Sequence, residues 1–86
     1  MSRQVKATRK DNNGNITHLC NAGQWWSPIS SAEVIRHIES GLYRYYVQIG
    51  VYQEVDIHVV GSGNSKYLRT DPDSTATNNL DELPNC

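Results

Sequence analysis

The chain has 86 residues, enough for one domain with a single core, and folding at this size buries roughly 60–65% of the unfolded chain's surface. Eight basic and nine acidic residues give a net charge of −1, so no overall positive field attracts nucleic acid or anionic lipid. No apolar run approaches the roughly 20 residues that span a bilayer, and the first residues lack the apolar segment of a signal peptide. We therefore expect one compact cytoplasmic domain over residues 1–86, with an acidic, partly ordered tail over residues 71–86.

The first predicted elements are two strands joined by a hairpin turn. Val5 and Ala7 alternate with polar residues in a strand predicted over residues 4–10. Residues 11–15 (Asp-Asn-Asn-Gly-Asn) tolerate positive φ and favour a tight turn. Residues 16–20 are expected to return as the second strand.

A helix is predicted between Ser30 and Gly41. Ser30 and Glu33 have the spacing of a capping box, in which each side chain satisfies a backbone N–H at the helix start. Ile29 and Val34 occupy the positions of a hydrophobic staple. Gly41 stands where a left-handed residue closes a helix. The apolar stripe comprises Val34, Ile35, Ile38 and Leu42, so this face is expected to pack on a sheet.

Three further strands are predicted after the helix, because the apolar period changes from 3.6 to 2. They lie over residues 43–49, 54–59 and 66–70, and Pro72 ends the last one. The order strand-strand-helix-strand-strand-strand predicts an α+β fold, in which one helix covers one face of an antiparallel sheet of about five strands. The predicted core comprises Val5, Ile16, Leu19, Val34, Ile35, Ile38, Val47, Ile57 and Val59.

Several motifs resemble those of one protein family. They are Ile-Thr-His-Leu-Cys at residues 16–20, Trp-Ser-Pro at 26–28 and Tyr-Leu-Arg-Thr-Asp-Pro-Asp at 67–73. In order and spacing they resemble a family of small, mostly prokaryotic single-domain proteins of unknown function. The resemblance implies a compact α+β fold and supplies no activity, substrate or catalytic residue.

The two ends of the chain have opposite charge. The first ten residues carry four basic and no acidic side chains, whereas all the charged side chains after Arg69 are acidic. We expect the tail to fold back beside the first strand. Two cysteines, Cys20 and Cys86, are too few for a disulfide scaffold, so reduced thiols are the default expectation. A Cys20–Cys86 bridge remains an alternative.

Metal sites receive only weak support from the sequence. Asp71, Asp73 and Glu82, with Thr75, Thr77 and Asn79 between them, match the ligand spacing of a calcium loop. Ala76 replaces the glycine that permits the sharp turn of such a loop, and no helix is predicted on either side. His18 and Cys20 form a single soft-ligand pair, whereas zinc sites use repeated pairs. We therefore expect no metal or other cofactor.

A small hydrolase or metal-dependent protein is one alternative function. It would use His18, Cys20, Asp56 and His58, with a histidine activating the cysteine. Asp56 and His58 share one face of a predicted strand and fit equally the polar face of an amphipathic strand. Because no nucleophile elbow or phosphate-binding loop is present, the sequence favours a protein that is not an enzyme.

Aromatic residues provide the strongest binding candidates. Trp25 and Trp26 are adjacent, so one indole is expected to fill the core while the other stays partly exposed near the tyrosines of the sheet. The alternative is that both indoles belong to the core, because the chain has no phenylalanine to supply aromatic volume. The leading hypothesis is a module that binds a protein or small ligand through an aromatic sheet face. Single-stranded nucleic acid is a weaker alternative, because a net charge of −1 opposes phosphate binding. The candidate site residues are Trp25, Trp26, Arg44, Tyr46, His58 and Arg69.

Overall fold

The computed structural model describes residues 2–49, 53–70, 80 and 82–86. The strands are β1 (Ser2–Gln4), β2 (Ala7–Lys10), β3 (Ile16–Cys20), β4 (Ile29–Ser30), β5 (Arg44–Ile49), β6 (Gln53–Val60) and β7 (Tyr67–Thr70); α1 is Ser31–Ser40, and a 3-10 turn spans Gly63–Ser65. Within these ranges no helix has the length and apolar character to cross a membrane. The predicted α+β class with one α-helix is confirmed for this part of the chain.

The strands form two sheets, which corrects the prediction of a single five-stranded sheet. One has the order β1-β5-β6-β7, with β1 parallel to β5 and the other pairs antiparallel. The other has the order β2-β3-β4 and is antiparallel. The predicted first strand is divided, since the Val5 N–H donates to the Tyr46 carbonyl (2.8 Å) and the next N–H, of Lys6, donates to the Cys20 carbonyl (2.9 Å). Alternating hydrophobicity predicts extended chain but does not indicate which strand each half pairs with.

Helix α1 begins and ends as predicted. The Ser30 hydroxyl accepts a hydrogen bond from the Glu33 N–H (3.3 Å), and Gly41 has φ 75° and caps the last turn. The Glu33 carboxylate pairs with Arg36 (3.3 Å) rather than closing the reciprocal half of the capping box. Leu42 is 57% exposed, so its assignment to the buried stripe is wrong. It lies beyond the αL residue, where helical periodicity no longer applies.

The core contains all nine predicted residues, buried or partly buried, and four buried residues that were not predicted, three from strands and one from the tail. Val5, Leu19, Val34, Val47 and Ile57 are buried, while Ile16, Ile35, Ile38 and Val59 pack against them partly buried. The unpredicted additions to this cluster are Ile29, Tyr45 and Leu68. Leu80 of the tail is also fully buried, and Leu83 packs beside it. The core is therefore closed in part by the C-terminal tail.

The end of the tail lies beside β2, as the opposite charge of the two ends predicts. The Thr8 N–H donates to the Pro84 carbonyl (2.9 Å), and the Cys86 N–H donates to the Thr8 carbonyl (2.9 Å). Cys20 and Cys86 form a disulfide, which corrects the expectation of reduced thiols. Composition could not predict this pairing, because the two residues are brought together by the tail's course along β2. Residues 71–79 and 81, which include most of the candidate calcium loop, lie outside the described part of the chain.

Removing the disulfide is expected to destabilise the domain. The bridge joins residues 66 positions apart, so it restricts the unfolded chain and holds the tail over the core. We expect Cys20→Ala/Cys86→Ala to lower the free energy of unfolding by about 2–4 kcal/mol in urea titrations. Reductant should bring the wild type to the same midpoint and leave the variant unchanged. An identical midpoint for oxidised wild type and variant would contradict this role.

Candidate ligand-binding cleft

A cleft of about 530 Å³ opens where β1, the start of α1 and the segment before β4 meet. Its walls include Arg3, His18, Trp25, Trp26, His37 and Tyr43, and Glu33 of the first helical turn also borders it. The cleft combines aromatic surface, a buried cation and two imidazoles. Such a mixture of apolar walls and a few convergent polar groups is typical of ligand sites.

Arg3 is a charged residue on the inward face of β1. Its side chain is only 8% exposed, and it lies opposite Tyr45 in the parallel β1–β5 pair. The guanidinium carbon is 3.6 Å from the ring centroid of Tyr43, and 5.2 and 5.3 Å from those of Trp25 and Trp26. These distances are in the range of cation–π attraction. No carboxylate among the described residues forms an ion pair with Arg3, so aromatic faces surround this charge in place of an anion.

Tyr45 links Arg3 to His37 beneath the cleft. Arg3 Nη1 donates to the Tyr45 hydroxyl (3.0 Å), and that oxygen lies 2.7 Å from His37 Nδ1. Burial raises the pKa of the Tyr45 hydroxyl, against the opposing effect of the Arg3 charge, so the hydroxyl keeps its proton. Because the hydroxyl accepts from Arg3, it is free to donate to Nδ1 of His37. In that arrangement Nδ1 is the acceptor, and a neutral His37 imidazole carries its proton on the second ring nitrogen, Nε2.

The tryptophan pair divides as the sequence predicts. Trp26 is half-buried and meets Tyr45 edge-to-face, with 6.1 Å between the ring centroids. Trp25 is 84% exposed. The turn that presents them is held by hydrogen bonds, since the Ser27 N–H donates to the Gln24 carbonyl (3.1 Å) and the Ser27 hydroxyl accepts from the Asn21 N–H (2.9 Å). One indole therefore anchors the turn, and the other remains available at the cleft.

The other predicted site residues lie on a different surface. Arg44 and Tyr46 alternate with the buried Tyr45 along β5, so they occupy the outer face of the four-stranded sheet. His58 and Arg69 are cross-strand neighbours on the same outer face of β6 and β7. The six candidate residues thus form two groups on opposite faces of one sheet. The sequence alone does not indicate on which face of the sheet the tryptophans lie, so it cannot separate them from the candidates on β5, β6 and β7.

The charge of Arg44 is already compensated. Its Nε bonds Asp56 and its Nη2 pairs with Glu54 at 3.1 Å, while its guanidinium carbon lies 4.8 Å from the Tyr46 ring centroid. An arginine held by two carboxylates contributes little to attracting an external anion. The outer face is therefore a less favourable anion site than the cleft.

The predicted hydrolase constellation does not assemble. Cys20 is in a disulfide and supplies neither a nucleophile nor a thiolate ligand. His18 borders the cleft, whereas Asp56 and His58 line a shallow pocket of about 220 Å³ that also contains Arg44. Among the described residues no group of three or more His, Cys, Asp or Glu side chains could hold a metal ion. Asp71 and Asp73 lie outside the described residues, and Glu82 is exposed.

The residues of the hydrogen-bonded network at the cleft were not predicted as site residues: Arg3 and His37 line the cleft, and Tyr45 lies beneath it. Arg3 had a detectable signal, because it lies two positions before Val5 and must share the inward face of an extended segment. A charge at an inward position is unusual unless it is paired or functional. His37 and Tyr45 gave no comparable signal, since both fit an amphipathic helix and strand.

A family model described as a protein of unknown function, DUF3892, matches residues 4–84. The chain belongs to the DUF3892 family. This match confirms the resemblance inferred from the motifs to a family of unknown function. No curated protein and no solved structure matches the chain. The DUF3892 assignment carries no activity, so any function must be argued from the cleft itself.

Removing the Tyr45 hydroxyl tests the network beneath the cleft. Tyr45→Phe leaves Arg3 and His37 without their shared partner, so we expect a loss of about 1–3 kcal/mol in the free energy of unfolding. The matched control is Tyr46→Phe on the outer face, which should change it by no more than about 0.5 kcal/mol. Equal effects of the two variants in urea titrations would rule out the network as a source of stability.

Proposed function

We propose that this protein is a non-enzymatic binding module whose site is the cleft beside Trp25. The observation that carries the proposal is the 84% exposure of the Trp25 indole at the edge of a concave, aromatic-lined surface. A planar ligand group would gain dispersion and quadrupole interactions by stacking on the indole. The ligand class is a small molecule, or a peptide side chain, that carries a planar ring.

A rigid support beneath the exposed indole favours binding by a preformed surface. Trp26 is fixed against the buried Tyr45, and the Arg3 guanidinium lies close to both indoles. Preorganisation lowers the conformational entropy that binding must overcome. The disulfide-bonded state of Cys20 supports a role in binding over hydrolysis, since the candidate nucleophile is unavailable.

The cleft is a better candidate than the outer sheet face. Arg44, one of the two arginines proposed there, is engaged by Glu54 and Asp56, which reduces the positive charge that the outer face offers to a ligand. The same argument weakens the alternative of single-stranded nucleic acid, which requires uncompensated basic residues along a stacking surface. A net charge of −1 acts in the same direction.

The test is a titration of the ¹⁵N-labelled protein with a library of planar fragments. We expect shifts concentrated at the Trp25 indole N–H and at neighbouring amides. Trp25→Ala should weaken binding by roughly tenfold, as expected for loss of one stacking partner. Tyr67→Ala is the matched control, because Tyr67 is also an exposed aromatic (51%) but lies on β7 away from this cleft. Shifts centred on Tyr46 and Arg69, with unchanged affinity in Trp25→Ala, would move the site to the outer face.

A further inference from the structure

We infer that the ligand of the Trp25 cleft is an anion, a planar group bearing a carboxylate or phosphate whose oxygens are received by Arg3. This inference rests on the proposed function and adds the charge of the ligand to it. Its basis is the contrast between Arg3, which is buried without an anionic partner, and Arg44, which is half exposed and holds two carboxylates.

Burial makes the isolated charge of Arg3 costly. A buried cation is normally paired with an anion, because low dielectric surroundings do not replace the hydration that it loses. Aromatic faces compensate for only part of that loss, since cation–π attraction is weaker than an ion pair in the same surroundings. An anion entering the cleft would complete the electrostatic environment of this guanidinium.

The donor geometry of Arg3 suits an oxyanion. Guanidinium is planar and carries five N–H donors in its plane, and the single acceptor bonded to it in the described residues is the Tyr45 hydroxyl, on Nη1. The Tyr43 ring, 3.6 Å from the guanidinium carbon, covers one of its faces. Face contact of this kind leaves in-plane N–H groups available, and their fork matches the spacing of two carboxylate or phosphate oxygens.

His37 adds a second donor to the same cleft. Its Nδ1 lies 2.7 Å from the Tyr45 hydroxyl, and when that hydroxyl donates to Nδ1, a neutral imidazole carries its proton on Nε2, where it is a donor. The stacked arrangement with Tyr45, at 6.0 Å and 3° between the rings, holds the imidazole orientation. Two fixed donors on one cleft wall recognise the oxygens of an anion better than those of a neutral amide, because hydrogen bonds to ionised acceptors are stronger.

Among the described residues, Glu33 is the one carboxylate that borders the cleft. It pairs with Arg36 on the exposed side of α1, at 3.3 Å, which offsets part of its charge. Its remaining field opposes an incoming anion. Removing the Glu33 charge should therefore strengthen the binding of anions and leave the binding of neutral ligands unchanged.

The experiment compares matched ligand pairs by NMR titration of the intact oxidised protein. Indole-3-acetate is compared with indole-3-acetamide, and phenyl phosphate with phenol, so each pair differs mainly in charge. We expect each anion to bind about tenfold or more tightly than its neutral partner. The pair with the larger ratio of anion to neutral affinity indicates whether carboxylate or phosphate oxygens fit the cleft better, because each ratio is taken on a single ring.

Variants assign the preference to Arg3. Arg3→Gln should remove the anion preference, and Arg44→Gln, at the compensated arginine, should retain it. Glu33→Gln should raise affinity for both anions by roughly two- to threefold, as expected when a screened, partly exposed charge is removed. The ligand-pair comparison and the Glu33 variant remain decisive if Arg3→Gln does not fold.

The outcomes separate this inference from the proposed function. Anion preference that is lost in Arg3→Gln and strengthened in Glu33→Gln supports the inference. Equal binding of charged and neutral partners, with shifts at Trp25, overturns the inference and leaves the binding cleft intact. If none of the four ligands and no planar fragment shifts the Trp25 indole N–H, both proposals fail.

Discussion

The structure depends on the change of hydrogen-bond partner between Val5 and Lys6. The backbone of β1 belongs to the four-stranded sheet, and that of β2 belongs to the three-stranded sheet, so one extended segment connects the two. Val5 is buried at the crossing. Because this segment, residues 2–10, pairs with a strand of each sheet, it fixes where the two sheets meet.

The same segment also explains why Arg3 is buried. Strand alternation that turns Val5 inward turns Arg3 inward as well, and parallel pairing with β5 sets it opposite Tyr45. The fold accommodates this charge with aromatic rings and one hydroxyl, and no carboxylate of the described residues forms an ion pair with it. The charge of Arg3 is only partly compensated by these groups, so a ligand could supply the missing anionic partner. Buried groups that cost stability in this way are common at functional sites.

The described end of the C-terminal tail, Leu80 and residues 82–86, is part of the folded unit. Thr8 bonds residues on both sides of Asn85, and the disulfide joins Cys86 to the end of β3, so the exposed edge of β2 is covered. Covering an edge strand removes a row of unpaired backbone groups that would otherwise pair with another chain. The described part of the tail thereby links the protection of one sheet edge with closure of the core through Leu80.

The sequence alone determined the elements whose cause is local. The Ser30 cap, the Gly41 stop and the Asp11–Gly14 turn follow from side chains that bond nearby backbone or permit positive φ. The different exposures of Trp25 and Trp26 arise in the turn closed by the Ser27 N–H and the Gln24 carbonyl, rather than from strand alternation. Tertiary structure decided the division into two sheets, the Cys20–Cys86 bridge and the separation of the tryptophans from Arg44 and Tyr46. These features depend on which distant strands pair, and a periodic pattern specifies the inward face of a strand without specifying its neighbour. The cleft combines both levels, because Arg3 is turned inward by local alternation while His37 and Tyr45 reach it only through long-range packing.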